Sequence, residues 1–181
     1  MMQLISIFVI AIGLSMDAFS LSILYGTLNF NKQKTILLSF FVGVFHFFMP
    51  LLGNMLGIVL LRVLPVTTNF VVGIIFFVIS VQMFLSVFKK EEIIDLKGIL
   101  AIIFFAFTVS IDSFSVGIGL NAIFKNNLIA VSIFSITSFM FTFVGLSIGS
   151  RLTQKFGKVS TIIGSIVLFT MSFFYLFLYN G

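Results

Sequence analysis

The chain has no cysteine, no tryptophan, only two prolines and little charge, since 8% of its 181 residues are charged. Without cysteine it can form neither a disulfide framework nor a thiolate metal site. A soluble domain carries about 25% charged residues, so this chain has too few to cover a surface in water. Sixty per cent of the residues are apolar and the mean hydropathy is +1.30. The composition predicts an integral membrane protein whose main partner is the lipid bilayer.

Two motifs are missing from the sequence, and the position of its basic residues is informative as well. No G-x-x-x-x-G-K-[ST] phosphate loop is present, which argues against an ATP-hydrolysing pump, and no enzymatic activity is expected. The chain opens Met1-Met2-Gln3, without the basic region of a cleavable signal peptide. The net charge of +5 comes from basic residues between the apolar runs. This arrangement is typical of membrane loops, so no nucleic-acid partner is expected.

Six apolar runs, separated by charged residues, make up most of the chain. A helix needs about 20 apolar residues to cross the hydrocarbon, whereas barrel strands alternate polar and apolar residues over about ten. The runs fit the first description, so the sequence predicts an all-α integral membrane fold with six transmembrane helices. Their approximate bounds are Leu4–Tyr25, Ile36–Leu61, Phe70–Phe88, Gly98–Phe124, Leu128–Gly149 and Val159–Tyr179.

Lysine and arginine are distributed unevenly among the predicted loops. The first, third and fifth loops hold eight of the 10 basic residues, and the second and fourth hold only Arg62 and Lys125. Basic residues concentrate in cytoplasmic loops. The odd-numbered loops are therefore predicted to lie in the cytoplasm, with both termini outside.

The chain divides into two halves of three spans each. We predict a first repeat over residues 1–90, a cytoplasmic linker over 91–97 and a second repeat over 98–181. Because three is an odd number, the second repeat enters the membrane inverted relative to the first. Inverted repeats are typical of secondary transporters, which bind substrate near the bilayer midplane between the repeats.

One short motif occurs in both halves. The chain reads SMDAFS at residues 15–20 and SIDSFS at residues 110–115, so that Asp17 and Asp112 lie 95 positions apart. Each aspartate is the only charge in its apolar run, and an intramembrane charge costs at least a few kcal/mol. With no lysine or arginine in either run, two protons or one divalent cation could neutralise the pair. The motif therefore predicts proton/metal exchange.

The residues around the aspartates indicate a hard metal. Ser20 and Ser115 follow their aspartates by three positions and Thr108 precedes Asp112 by four, which places each hydroxyl near the same helix face. Carboxylate and hydroxyl oxygens favour magnesium, calcium or manganese. The predicted metal ligands are Asp17, Asp112, Ser20, Ser115 and His46.

Spans 2 and 5 carry matching stripes of small or polar residues, which are expected to face the bundle interior. Both stripes have offsets 0, +4, +7 and +11. His46 begins the first stripe and is the only histidine in the chain. It could be a ligand, a proton carrier or a hydrogen-bonded spacer, and the glycines could serve close helix packing. The stripes are His46, Pro50, Gly53 and Gly57, and Ser138, Thr142, Gly145 and Gly149.

These motifs resemble those of the MntP-type manganese efflux pumps, which belong among the LysE-like exporters. The similarity lies in SMDAFS at 15–20, SIDSFSVG at 110–117 and FHFFMPLLG at 45–53, and length and span number fit along the whole chain. The resemblance implies export of manganese(II) as a transported substrate across the bacterial inner membrane. It also implies no resident cofactor, and an essential role for Asp17 and Asp112.

Three alternatives stay open at this point. The chain could export another divalent metal or a small organic solute, or it could be a non-transporting membrane protein of the sporulation type. In the last case Asp17→Asn should leave function intact, because asparagine keeps the shape and hydrogen bonding of aspartate. The sequence does not fix the metal, the coupling ion, the oligomeric state or the continuity of spans 1 and 4.

Overall fold

The computed structural model describes residues 2–63, 67–88, 96, 98–124, 126–149, 151 and 154–178, and within these the regular structure is entirely helical. The helices are α1 (Met2–Gly26), α2 (Lys32–Val63), α3 (Thr68–Ser86), α4 (Ile99–Val109), α5 (Ile111–Ile118), α6 (Leu120–Ile123), α7 (Asn127–Ile148) and α8 (Gln154–Phe173), which a π-helical turn, Phe174–Leu178, continues.

Within the part of the chain that the structure describes, six helical segments are long and apolar enough to cross a bilayer, which confirms the predicted all-α fold with six spans. Helices α4 and α5 together form the fourth span, Ile99–Ile118. In hydrocarbon every backbone N–H and C=O must be satisfied within the protein, and helices achieve this within one segment. Of the predicted linker 91–97, only Leu96 is among the described residues, where it is buried.

Asparagines cap two of the spans. The Asn31 side chain accepts a hydrogen bond from the Lys34 N–H at 2.8 Å, and that of Asn126 accepts from the Ile129 N–H at 3.3 Å. Asparagine is favoured at this position because its side-chain oxygen satisfies an N–H that has no partner within the helix. The capping asparagines lie in the short polar segments between apolar runs, and these segments therefore set where α2 and α7 begin.

The helices of the two halves are interleaved. Helix α1 packs against α7 and α8, while α2 packs against α5 and α7, and α3 packs mainly against α8. The second span of each half therefore lies against the first span of the other half. This exchange brings both aspartate motifs to the interface between the halves.

Two apolar clusters fill the bundle at different levels. The first joins α1, α3, α7, α8 and the end of the fourth span, and its largest fully buried members are Ile10, Leu14, Phe76, Phe134, Leu120 and Leu168. The second joins α1, α2, α4 and α7, and includes Tyr25, Leu38, Val42, Phe105, Ala106 and Leu146. Among the described residues, α3 and α8 contribute no member to the second cluster.

Candidate functional site

Asp17 and Asp112 lie between the two apolar clusters. Along α1 the first cluster reaches Leu14 and the second begins at Ala18. Along the fourth span the second cluster ends at Val109 and the first begins at Val116. Both aspartates fall in these intervals, are half-buried, and lie close enough to interact electrostatically. The fold thus brings the two predicted carboxylates together in the middle of the bundle.

The helix that carries Asp112 is broken just before it. Ser110 lies between α4 and α5 with φ −102° and ψ 6°, and its N–H bonds back to the Phe107 carbonyl at 3.1 Å. Asp112 is consequently in the first turn of α5, where its Oδ1 accepts a hydrogen bond from the Ser113 N–H at 2.7 Å. The first N–H groups of a helix have no partner within it and favour negative charge. Helix α1, by contrast, runs through Asp17 without interruption.

A buried hydrogen bond joins each aspartate motif to the stripe of the other half. His46 Nδ1 lies 2.8 Å from Ser110 Oγ, and Ser138 Oγ lies 3.1 Å from Ser15 Oγ. Ser110 is 95 positions after Ser15 and Ser138 is 92 after His46, so the two pairs occupy corresponding places in the two motifs and the two stripes. All four side chains have no exposed surface. The sequence identified His46 but did not indicate that either serine would bond across the bundle.

The stripe glycines make matching contacts with the same two helices. A methyl group at Gly53 would collide with the carbonyl oxygen of Phe114, and one at Gly145 would lie 3.0 Å from that of Phe19. Phe19 and Phe114 are again corresponding positions. Farther along, the next stripe glycines approach the carbonyls of corresponding isoleucines, in the pairs Gly57–Ile118 and Gly149–Ile23. The stripes are buried as predicted, and their glycines contact the backbone of the aspartate-bearing helices.

The other predicted ligands differ in burial and contacts. Ser20 is buried against α8, where a methyl group at Gly157 would lie 3.2 Å from Ser20 Oγ. Ser115 is half-buried on α5. Thr108 is exposed and donates to the Phe104 carbonyl at 2.9 Å. Among the described residues, no three His, Asp or Glu side chains form a group that could hold a metal ion.

Three buried polar atoms near this interface have no hydrogen-bond partner. They are Asp112 Oδ2, His46 Nε2 and Thr142 Oγ1. Burying an acceptor without a partner is costly, so such atoms are available to bind a proton or a cation. In chemical terms the interface offers one carboxylate held by a backbone N–H, a second carboxylate nearby, and unused oxygen and nitrogen lone pairs.

His46 Nδ1 makes two contacts. It lies 3.0 Å from the Val42 carbonyl oxygen and 2.8 Å from Ser110 Oγ, and the Ser110 hydroxyl donates to the Ala106 carbonyl at 2.8 Å. With a hydrogen on Nδ1, both oxygens would accept from that one N–H, and Nε2 would keep its lone pair.

Comparison with known proteins gives one consistent family. The family model described as "Putative manganese efflux pump" matches residues 29–176. A protein of Oceanobacillus iheyensis named "Putative manganese efflux pump MntP" is 33% identical over 176 residues, which cover 97% of each chain. The protein of the same name from Geobacillus kaustophilus is 30% identical over 178 residues, again 97% of each chain.

A third relative of that name, from Bacillus velezensis, is 32% identical over 168 residues, covering 92% of this chain and 90% of its own. No solved structure matches the chain. The family model covers most of the chain, and the relatives extend the similarity to nearly its full length. The chain therefore belongs to the MntP family of manganese efflux pumps.

Proposed function

We propose that the protein exports Mn(II) from the bacterial cytoplasm in exchange for protons, with Asp17 and Asp112 as the shared binding groups. The observation that carries the proposal is the approach of two carboxylates, one from each half, at a level between two apolar clusters. A divalent cation bridging the pair would neutralise both charges. Two protons would do the same, so the site can exchange one divalent cation for two protons with the same total charge.

The ligand chemistry supports a hard divalent cation. Asp112 offers Oδ2, which has no hydrogen-bond partner, while its Oδ1 is held by the Ser113 N–H. Ser20 and Ser115 are the proposed hydroxyl ligands, each three positions after its aspartate. Because Ser20 lies against α8 in this conformation, its participation requires a shift between α1 and α8. The contacts of His46 Nδ1 favour a role other than metal ligation.

Proton exchange supplies the driving force that export of a cation needs. Bacterial cells are negative inside, and moving one charge against the potential costs about 2.3 kcal/mol per 100 mV. A doubly charged ion leaving the cell therefore works against roughly twice that amount per 100 mV. Entry of protons returns positive charge, which makes antiport the favoured mode.

The proposed transport cycle opens the two apolar clusters in turn. We propose that the halves are related by inversion, with both termini outside and the basic odd-numbered loops in the cytoplasm. The first cluster then closes the site from the outside and the second from the cytoplasm. Matching contacts of the two stripes support this relation, because alternating access is largely a rocking of one repeat against the other around a fixed site.

Cell manganese content tests the proposal. A manganese-sensitive bacterium lacking its own exporter would express wild type, Asp17→Asn or Asp112→Asn at matched membrane levels, with Thr108→Ala as the control on an exposed face. Wild type and the control should lower total manganese, while neither aspartate variant should. Unchanged manganese in cells with wild type would overturn the metal assignment, and zinc, iron and cobalt in the same samples would show whether another metal is exported.

A further inference from the structure

We infer that His46 is a positioning residue, which fixes the break in the fourth span through Ser110 and thereby holds Asp112 in the first turn of α5. The inference rests on the proposed function, which makes Asp112 a binding group. It assigns His46 a role through its Nδ1 edge, not through a bond from its Nε2 to the metal.

The contacts of His46 converge on the broken turn. Its Nδ1 bonds to Ser110, whose hydroxyl also bonds to the Ala106 carbonyl. A serine that bonds back to the carbonyl four residues earlier competes with the helix and often bends it. The Ser113 hydroxyl donates to the Ser110 carbonyl at 2.6 Å. In a regular helix this carbonyl would accept the backbone N–H four residues later. The break is therefore held from both sides, by His46 on α2 and by Ser113 on α5.

The other half of the molecule provides the comparison. The corresponding residues there are Ser138 in place of His46 and Ala18 in place of Ser113. The Ser138 side chain bonds Ser15, and α1 continues through this position. Since the serine of the motif is the same in both halves, the serine alone does not produce the break, and we assign the difference to the residues that contact it.

The same geometry separates His46 from direct metal binding. No group of three His, Asp or Glu side chains forms within the residues that the structure describes, so His46 does not join both carboxylates. Its imidazole is fully buried and anchored to its own helix by the Val42 carbonyl. Groups that orient a metal ligand without touching the metal commonly change metal affinity about 10–100-fold when removed.

Two substitutions of His46 separate the roles of its nitrogens. In His46→Asn the side-chain amide can take the place of Nδ1 and keep the contact with Ser110, but nothing replaces Nε2. In His46→Gln the amide reaches the place of Nε2 and the Nδ1 contact is lost. Mn(II) affinity of the purified protein in lipid nanodiscs should stay near wild type for His46→Asn and fall about 10–100-fold for His46→Gln. The reverse order would overturn the positioning role.

Coupling with Ser110 gives a second measurement. His46→Ala and Ser110→Ala should each weaken Mn(II) binding, and the double variant should be no weaker than the weaker single one, because both break the same link. Additive losses would contradict the inference. Ser15→Ala and Ser138→Ala, at the corresponding places, are the matched controls and should change affinity little.

A distance measurement keeps the inference testable without metal. Because the chain has no native cysteine, Leu100→Cys and Asn121→Cys would place spin labels on either side of the break, both at exposed positions. In His46→Ala the distance distribution should shift to longer distances, because the break at Ser110 straightens while the turn at Gly119 stays in place. An unchanged distribution would overturn the inference. No Mn(II) binding by wild type, together with the shift in His46→Ala, would overturn the proposed function alone.

Discussion

The two aspartate-bearing spans have nearly the same sequence motif but different backbones. Asp17 lies within a continuous 25-residue helix, where the neighbouring N–H groups are used by the helix itself. Asp112 lies in the first turn of a separate eight-residue helix and is held by the Ser113 N–H. The packing around both motifs is alike, since corresponding glycines and serines contact them. Among the differences between the two regions are His46 against Ser138 and Ser113 against Ala18, the residues that contact Ser110 in the interrupted span and their counterparts.

The largest effect should come from removing either carboxylate. If the halves share one site, Asp17→Asn and Asp112→Asn should each abolish Mn(II) transport, because the remaining carboxylate cannot neutralise a divalent cation alone. Radiolabelled manganese efflux from loaded cells measures the loss. One variant that keeps half or more of wild-type efflux, while the other keeps none, would show that the halves do not contribute equally.

Substitution of the stripe glycines should have the next largest effect. Gly57→Ala and Gly149→Ala each place a methyl group against a backbone carbonyl, that of Ile118 or Ile23, which cannot move without shifting a helix. Overpacking of this kind typically costs about 1–3 kcal/mol. Both variants should lower the temperature at which the detergent-solubilised protein aggregates.

Gly13→Ala is the control for the stripe glycines. Its added methyl group would meet only side-chain atoms of Leu168 and Val167, at 3.2–3.3 Å, and these can adjust. We expect a smaller change in the aggregation temperature than for Gly57→Ala or Gly149→Ala. An equal fall in aggregation temperature in all three variants would mean that the stripe glycines pack no more closely than Gly13.

A smaller effect should follow when Ser113 is made like its counterpart. Ser113→Ala removes the hydroxyl bond to the Ser110 carbonyl and leaves the backbone N–H that holds Asp112. One hydrogen bond contributes about 1 kcal/mol, which corresponds to roughly a fivefold change in Mn(II) affinity if the whole energy reaches the site. Isothermal titration calorimetry of the purified protein measures this change in Mn(II) affinity. Ala18→Ser, the reciprocal change, should leave affinity within error, because α1 has no break for the hydroxyl to hold.

The smallest effect should come from the serine pair of the first motif. Ser15→Ala removes one buried hydrogen bond between helices, which in membranes averages about 0.6 kcal/mol. We expect a slight loss of thermal stability and no loss of Mn(II) transport. A loss of transport as large as that in Asp17→Asn would show that Ser15 acts in the site itself.

Much of the fold follows from composition, since long uncharged runs can only become helices in a bilayer. The buried stripes on α2 and α7 also follow, because small residues at helical spacing mark a face on which another helix can lie. The break at Ser110 does not follow from the sequence, because the same serine leaves α1 intact. It depends on His46, which is 64 positions away in the chain and next to Ser110 only in the folded bundle.

The central claim is that one site, built from both halves, exchanges Mn(II) for protons. Proteoliposomes holding wild type, Asp17→Asn or Asp112→Asn, with manganese supplied on one side and a pH-sensitive dye inside, test it most directly. We predict that wild type moves manganese together with an opposite proton flux, and that both variants lose the two fluxes together. Manganese flux through wild type with no change in internal pH at zero membrane potential would contradict proton exchange, and transport by either variant would contradict the shared site.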